Sequence, residues 1–133
     1  MKTLSELMTV LEGRQGKFLL YFLMTAIMLL ALIPPPELPQ APGSDKFQHA
    51  IAFCFLTLFL HLSHPGLSRL KGAAVMLGYG CLMEFLQSLT AYRSPEFADL
   101  LADSVGIASA QLLRQMFFSY RKTRSSLPPT PPM

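Results

Sequence analysis

The sequence predicts an all-α fold, an integral membrane bundle of four transmembrane helices, and three observations predict it. The 133 residues are 51% apolar and only 14% charged, with a mean hydropathy of +0.38. A soluble domain of this size needs more polar surface than that. Four segments, residues 18–33, 47–62, 72–90 and 97–118, approach the length of a membrane span. A bilayer core takes about 20 apolar residues, fewer where flanking side chains snorkel or the lipid thins. None of the four alternates polar and apolar residues as a barrel strand does, and unpaired backbone is not tolerated in hydrocarbon, so each is expected to be a helix.

The elements follow in chain order. The leader, residues 1–17, places Leu4, Leu7, Met8 and Leu11 at helical spacing with Glu6, Glu12 and Arg14 among them. That pattern suits an amphipathic interfacial helix, with a loosely ordered leader as the competing expectation. Lys17 before the first apolar run resembles the start of a secretory signal, but Glu6 and Glu12 precede it and Pro34, Pro35, Pro36 and Pro42 follow where a cleavage site would be. A retained anchor is therefore expected. With Pro39, the same prolines predict an extended outer loop. The second, third and fourth spans complete a transmembrane domain over residues 18–118. Residues 119–133, rich in Ser and Pro toward their end, read as a disordered cytoplasmic tail. Cys54 and Cys81 fall inside apolar spans and read as small hydrophobes, with neither a disulfide framework nor a zinc site implied.

Charge gives the orientation, because cytoplasmic loops collect Lys and Arg. With the amino terminus inside, nine of the eleven bases are cytoplasmic, and only Lys46 and Arg93 lie outside. The expectation is a multi-pass protein of the bacterial cytoplasmic membrane with both termini cytoplasmic. Membrane topology accounts for the net charge of +3 better than nucleic acid does.

In that topology three helix ends carry polar groups to the outer face. Asp45 and His49, four residues apart, share a face at the start of the second span with Lys46 beside them. Ser44 or Asp45 is also a candidate cap for that helix. Glu84 and Gln87 share a stripe of the third span with Gly80. A carboxylate at that depth costs about 2.5 to 3.5 kcal/mol near the bilayer centre, so Glu84 is expected to face the bundle and to have a partner. Asp99 and Asp103 open the fourth span on one stripe, continued by Gly106 and Ala110, small residues that let another helix approach. Asp99 also suits a first-turn position beside the helix dipole. Arg93 is the expected counter-ion of these acids, or the holder of a phosphate if the site opens outward. His61 and His64, before Pro65 and Gly66, read as turn residues.

With that order laid out, the chain resembles the VanZ-like family of small bacterial membrane proteins, named for a factor in resistance to the glycopeptide teicoplanin. The resemblance rests on Asp45-Lys46-x-x-His49, Glu84-x-x-Gln87, Arg93, and Asp99-Leu100-Leu101-Ala102-Asp103 followed by Gly106, and covers residues 44–110. Two positions depart from the family pattern. Phe53 stands where many members have Tyr, and Ala110 where a second Gly often follows. The resemblance implies a multi-pass protein of the cell envelope, with these polar positions as the functional ones, and carries no settled activity.

The leading expectation is an outward-facing site of Asp45, Lys46, His49, Glu84, Gln87, Arg93, Asp99 and Asp103 that binds a lipid-linked or anionic envelope component. No catalytic constellation is recognisable: Ser88 and Ser104 are near the acids but lack an adjacent base in the sequence. The alternative is a scaffold whose charges form an internal ion-pair network. A proton- or cation-coupled carrier is disfavoured by the absence of an inverted repeat. No cofactor is implied, and a metal lacks paired ligand spacing. The expected partners are membrane lipids and a lipid-linked precursor.

Overall fold

The computed structural model describes residues 3–34 and 41–125, which form helices α1 (Leu4–Glu12), α2 (Arg14–Ala31), α3 (Ser44–Ser63), α4 (Arg69–Ser88) and α5 (Phe97–Ser125), with no strand among them. The leader is thus helical. Thr3 accepts a bond from the Glu6 amide, while the Glu6 carboxylate accepts one from the Thr3 amide at 2.9 Å. This reciprocal box satisfies two amides that a helix start leaves open.

The central pairing is between α3 and α5. They cross at Gly106, where an added Cβ would fall 2.2 Å from the Ala50 carbonyl oxygen and 2.9 Å from the Cys54 nitrogen. Backbone lies against backbone there, so the glycine sets the helix separation. One turn on, Ala110 is also buried, so an alanine suffices at the position where the family pattern has glycine. Leu56, Met76, Met83 and Ile107 continue the core around this seam, and Leu20 joins it from α2.

Helix α2 is tied on by polar bonds from α4 and the turn after it. Tyr79 donates to the Met24 carbonyl at 2.7 Å, Gln87 to the Ala31 carbonyl at 3.0 Å, and Tyr92 to the Leu32 carbonyl. The last two serve carbonyls at the end of α2 that its own turns leave open. Gln87, expected to belong to the polar site, therefore holds two helices together as well as lining a cavity.

The molecule carries large apolar side chains outward. Phe22, Leu29, Phe55, Phe85, Val105 and Leu112 are each more than half exposed, and they come from all four long helices. Two helices, α2 and α3, are long and apolar enough to cross a membrane. α4 and α5 fall short by that measure, because Arg69, Lys71, Glu84 and several glycines dilute one and Asp99, Asp103, Gln111 and Arg114 the other.

Two further expectations are corrected. The cap of α3 is Gly43, with φ of 77°, while Ser44 and Asp45 lie in the first turn. Residues 119–125, expected to be disordered tail, continue α5, since Tyr120, Arg121 and Lys122 extend a helix without a breaker. Most of the proline loop (residues 35–40) and the remainder of the tail (residues 126–133) lie outside the described residues.

Candidate functional site

At one end of the bundle the first turn of α3 meets the loop before α5 and the first turns of α5. Lys46 reaches across from α3, and its Nζ lies 3.1 Å from Asp45, 2.7 Å from Glu96 and 3.1 Å from Asp99. Carboxylate oxygens of these three acids lie within 4.8 Å of one another, a spacing that suits a cation. The Lys46 ammonium, with three N–H donors, stands at that position and gives each acid one bond. Asp99 is buried while Asp45 and Glu96 are half exposed, so the group sits at the rim.

One turn deeper, His49 Nδ1 lies 2.8 Å from Asp103 Oδ1. Asp103 is wholly buried, and its second oxygen has no partner. That oxygen occupies the space beside Gly80, where a Cβ would fall 2.8 Å from it. A glycine at that point of α4 thus makes room for the carboxylate. Because a carboxylate oxygen accepts, His49 carries a proton on Nδ1, and Nε2 has no hydrogen-bond partner among the described residues. Phe53 stacks on the same imidazole with ring centroids 6.4 Å apart, and Tyr79 packs on Phe53 at 5.7 Å. The phenol that the Phe53 position lacks is thus not replaced by Tyr79, whose hydroxyl bonds to α2.

His49 faces a cavity of about 240 Å³ between α2, α3 and α4, whose walls include Ile27, Ala31, Phe53 and Gln87 and whose polar edge includes Asp45 and Arg93. Arg93 was expected to be the counter-ion of the acids, and here the structure corrects the sequence. Among the described residues it forms no ion pair. The acids are engaged elsewhere: three with Lys46, Asp103 with His49, and Glu84 with the backbone. The reason is position, since Lys46 projects from a helical first turn directly opposite α5, whereas Arg93 sits in the turn between α4 and α5 and lines the cavity on the α2 side.

Glu84 is half buried, and its Oε2 accepts from the Glu96 amide at 3.2 Å. Its other oxygen is buried with no partner. The expected partner of Glu84 is thus backbone in place of a base, and it pins the segment that carries Glu96. Ser88 and Ser104 donate to carbonyls of their own helices, those of Phe85 and Leu100. Neither hydroxyl is bonded to a base among the described residues.

Two residues at this end went unread in the sequence as participants: Glu96, whose side chain joins Lys46 and whose amide meets Glu84, and Tyr92, while Gly80 was read on the Glu84 stripe but not as the space for Asp103. Glu96 precedes α5 by one residue, a position where an acid is ordinarily a helix-end charge, and that ordinary role hid it. At the opposite end, His61 is no turn residue. It is buried within α3 and bonds Gln111 at 3.0 Å, while His64 caps the helix and meets the Tyr21 hydroxyl at 3.2 Å.

No protein-family model, curated protein or solved structure matches the chain, so the VanZ-like resemblance rests on the motifs alone.

Proposed function

We propose that this chain is a VanZ-like membrane protein of the bacterial envelope, spanning the cytoplasmic membrane four times with both termini inside, and that the Arg93 cavity binds a lipid-linked or anionic envelope component on the outer face. The observation that carries the reading is the state of Arg93. A guanidinium at the edge of a mainly apolar cavity, with no ion pair among the described residues and with Asp45, the acid that shares its cavity, bonded to Lys46, is available to an anion from outside. His49, held by Asp103, presents a second nitrogen beside it. The apolar walls suit the chain of a lipid carrier, and the Arg93 guanidinium, joined by His49 Nε2 when the ring carries both protons, suits its phosphate. The outward apolar side chains of α4 and α5 support four spans although the polar stripes lower the average of both helices. The division of charge supports the orientation: Arg69 bonds Gln115 at the end of the bundle opposite Lys46.

The test is native mass spectrometry of the full chain with a polyprenyl phosphate as probe. Wild type is expected to retain it, and Arg93→Gln to lose it while keeping its helical content. Wild type that retains no polyprenyl phosphate, or a variant that retains as much, contradicts the reading. A deletion strain challenged with envelope-targeting antibiotics gives the cellular counterpart, with rescue expected from wild type and not from alanine variants of Glu84, Arg93, Asp99 or Asp103.

A second reading is supported by Lys46 alone. Its bonds to three carboxylates from α3, the preceding loop and α5 suit an internal ion-pair network that fixes helix register. In that reading the protein is a scaffold, and exchanging the charges of Lys46 and Asp99 preserves function.

A further inference from the structure

A cavity larger than the Arg93 one lies at the opposite end of the bundle and takes no part in the reading above. It has a volume of about 650 Å³ and opens between α1, α3 and α5. Its walls are apolar, with Leu58, Leu62, Leu113 and Phe117 among them, and it contains two charged residues, Glu12 and Arg114. Those two form no ion pair with each other or with any other described residue. Arg114 instead lies over the Phe118 ring at 5.3 Å, a contact that leaves its N–H groups free for an acceptor.

His61 adds a third group to this wall. It is 5% exposed, and its Nδ1 has no hydrogen-bond partner. The protonation of that nitrogen follows from Gln111. The Gln111 Nε2 donates to the Arg69 carbonyl at 3.2 Å, which fixes the amide orientation, since only an N–H faces a carbonyl. Its remaining N–H then donates to His61 Nε2 at 3.0 Å, so the neutral ring carries its proton on Nδ1. The Leu67 backbone lies beside the ring, whose Nδ1 is wholly buried, so His61 is held within the protein and closes the wall. The cavity therefore contains two unpaired charges, a cationic fork and, apart from it, a carboxylate.

An anion alone would satisfy the first and be repelled by the second. A ligand with an anionic group, a primary ammonium and an apolar body satisfies both and fills the apolar walls. We propose that this cavity is a seat for an aminophospholipid of the phosphatidylethanolamine type, its phosphate on Arg114, its ammonium on Glu12 and an acyl chain along Leu58, Leu62 and Leu113. The amphipathic helix α1 supplies Glu12 and sets that carboxylate at headgroup level, with Leu4 and Leu7 exposed toward the acyl boundary.

The test uses the full chain reconstituted in vesicles of phosphatidylethanolamine, phosphatidylglycerol and phosphatidylcholine in equal parts with identical acyl chains, followed by native mass spectrometry after detergent stripping. Wild type is expected to retain phosphatidylethanolamine roughly tenfold over the other two, the scale of one charge-assisted bond. Glu12→Gln is expected to erase that preference, Glu12→Lys to shift it to phosphatidylglycerol, and Arg114→Gln to reduce retention of all three. Far-ultraviolet circular dichroism of each variant separates these losses from unfolding, and the exposed Glu12 variants keep the test open if Arg114→Gln fails to fold. Equal retention of the three lipids by wild type, meaning an annular lipid only, overturns the proposal. So does a preference for phosphatidylethanolamine that survives both Glu12 variants.

Discussion

Lys46 and Arg93 lie at the same end of the bundle, and as isolated residues they look interchangeable, each a base among acids. The structure separates them. Lys46 is bonded to three carboxylates at its rim position, a closed group in which donors and acceptors are matched. Arg93 stands at a cavity with no acid bonded to it among the described residues. The lesson is that a count of charges at one end of a bundle does not say which cation fastens the fold and which stays outside the ion pairs. That distinction depends on which side chains are in reach, and the helix crossing decides the reach.

The crossing itself offers the most disruptive way to break the comparison. Gly106→Leu drives a side chain into the Ala50 carbonyl, and overpacking of this kind costs about 1 to 3 kcal/mol, with backbone clashes at the upper end. Both the Lys46 group and the Arg93 cavity should be lost together, read as a lower thermal midpoint and as absent ligand retention. Asp103→Ala removes the buried acceptor of His49, and an imidazole left without its partner costs about 1 to 3 kcal/mol. The variant should fold less stably and bind less well, whereas Asp103→Asn, which keeps an acceptor of the same shape, should recover most of the stability.

Smaller effects sharpen the contrast. Arg93→Gln should leave the thermal midpoint unchanged, because no ion pair is broken, and should weaken retention of a polyprenyl phosphate by about ten- to a hundredfold, the range of a hydrogen bond to a charged group. Lys46→Met should do the reverse on a reduced scale. The midpoint should fall by less than for Asp103→Ala, because Asp45 and Glu96 are half exposed and screened by water. That small difference should shrink further as salt is raised, while the effect of Asp103→Ala, whose group is buried, should persist.

Much of this was legible in the sequence. Helical stripes put Asp45 with His49, Glu84 with Gln87 and Asp99 with Asp103, and the structure brings all six to one end of the bundle. The Thr3-x-x-Glu6 capping box, a start signal for α1, stands in the leader but went unread beside its apolar spacing. Pairing was not legible, because helical periodicity gives the face of a residue and says nothing about how two helices are shifted along each other. A shift of one turn, about 5.4 Å, would bring Asp99 opposite His49 and leave Asp103 without it. The sequence also marked His61 as a turn residue because Pro65 and Gly66 follow, yet α3 runs to Ser63 and buries the ring against Gln111. A proline restricts the residue before it and leaves those further back free to stay helical. Mean hydropathy is lower for α4 and α5 because it averages a polar stripe with an apolar face, although the two point in different directions.

The most direct measurement is a side-by-side titration of polyprenyl phosphate against wild type, Arg93→Gln and Lys46→Met in the same lipid nanodiscs at the same salt. The account predicts at least a tenfold loss for Arg93→Gln and a change of no more than about threefold for Lys46→Met. Equal losses in the two variants, or a larger loss for Lys46→Met, would contradict the division between a fastened cation and a free one.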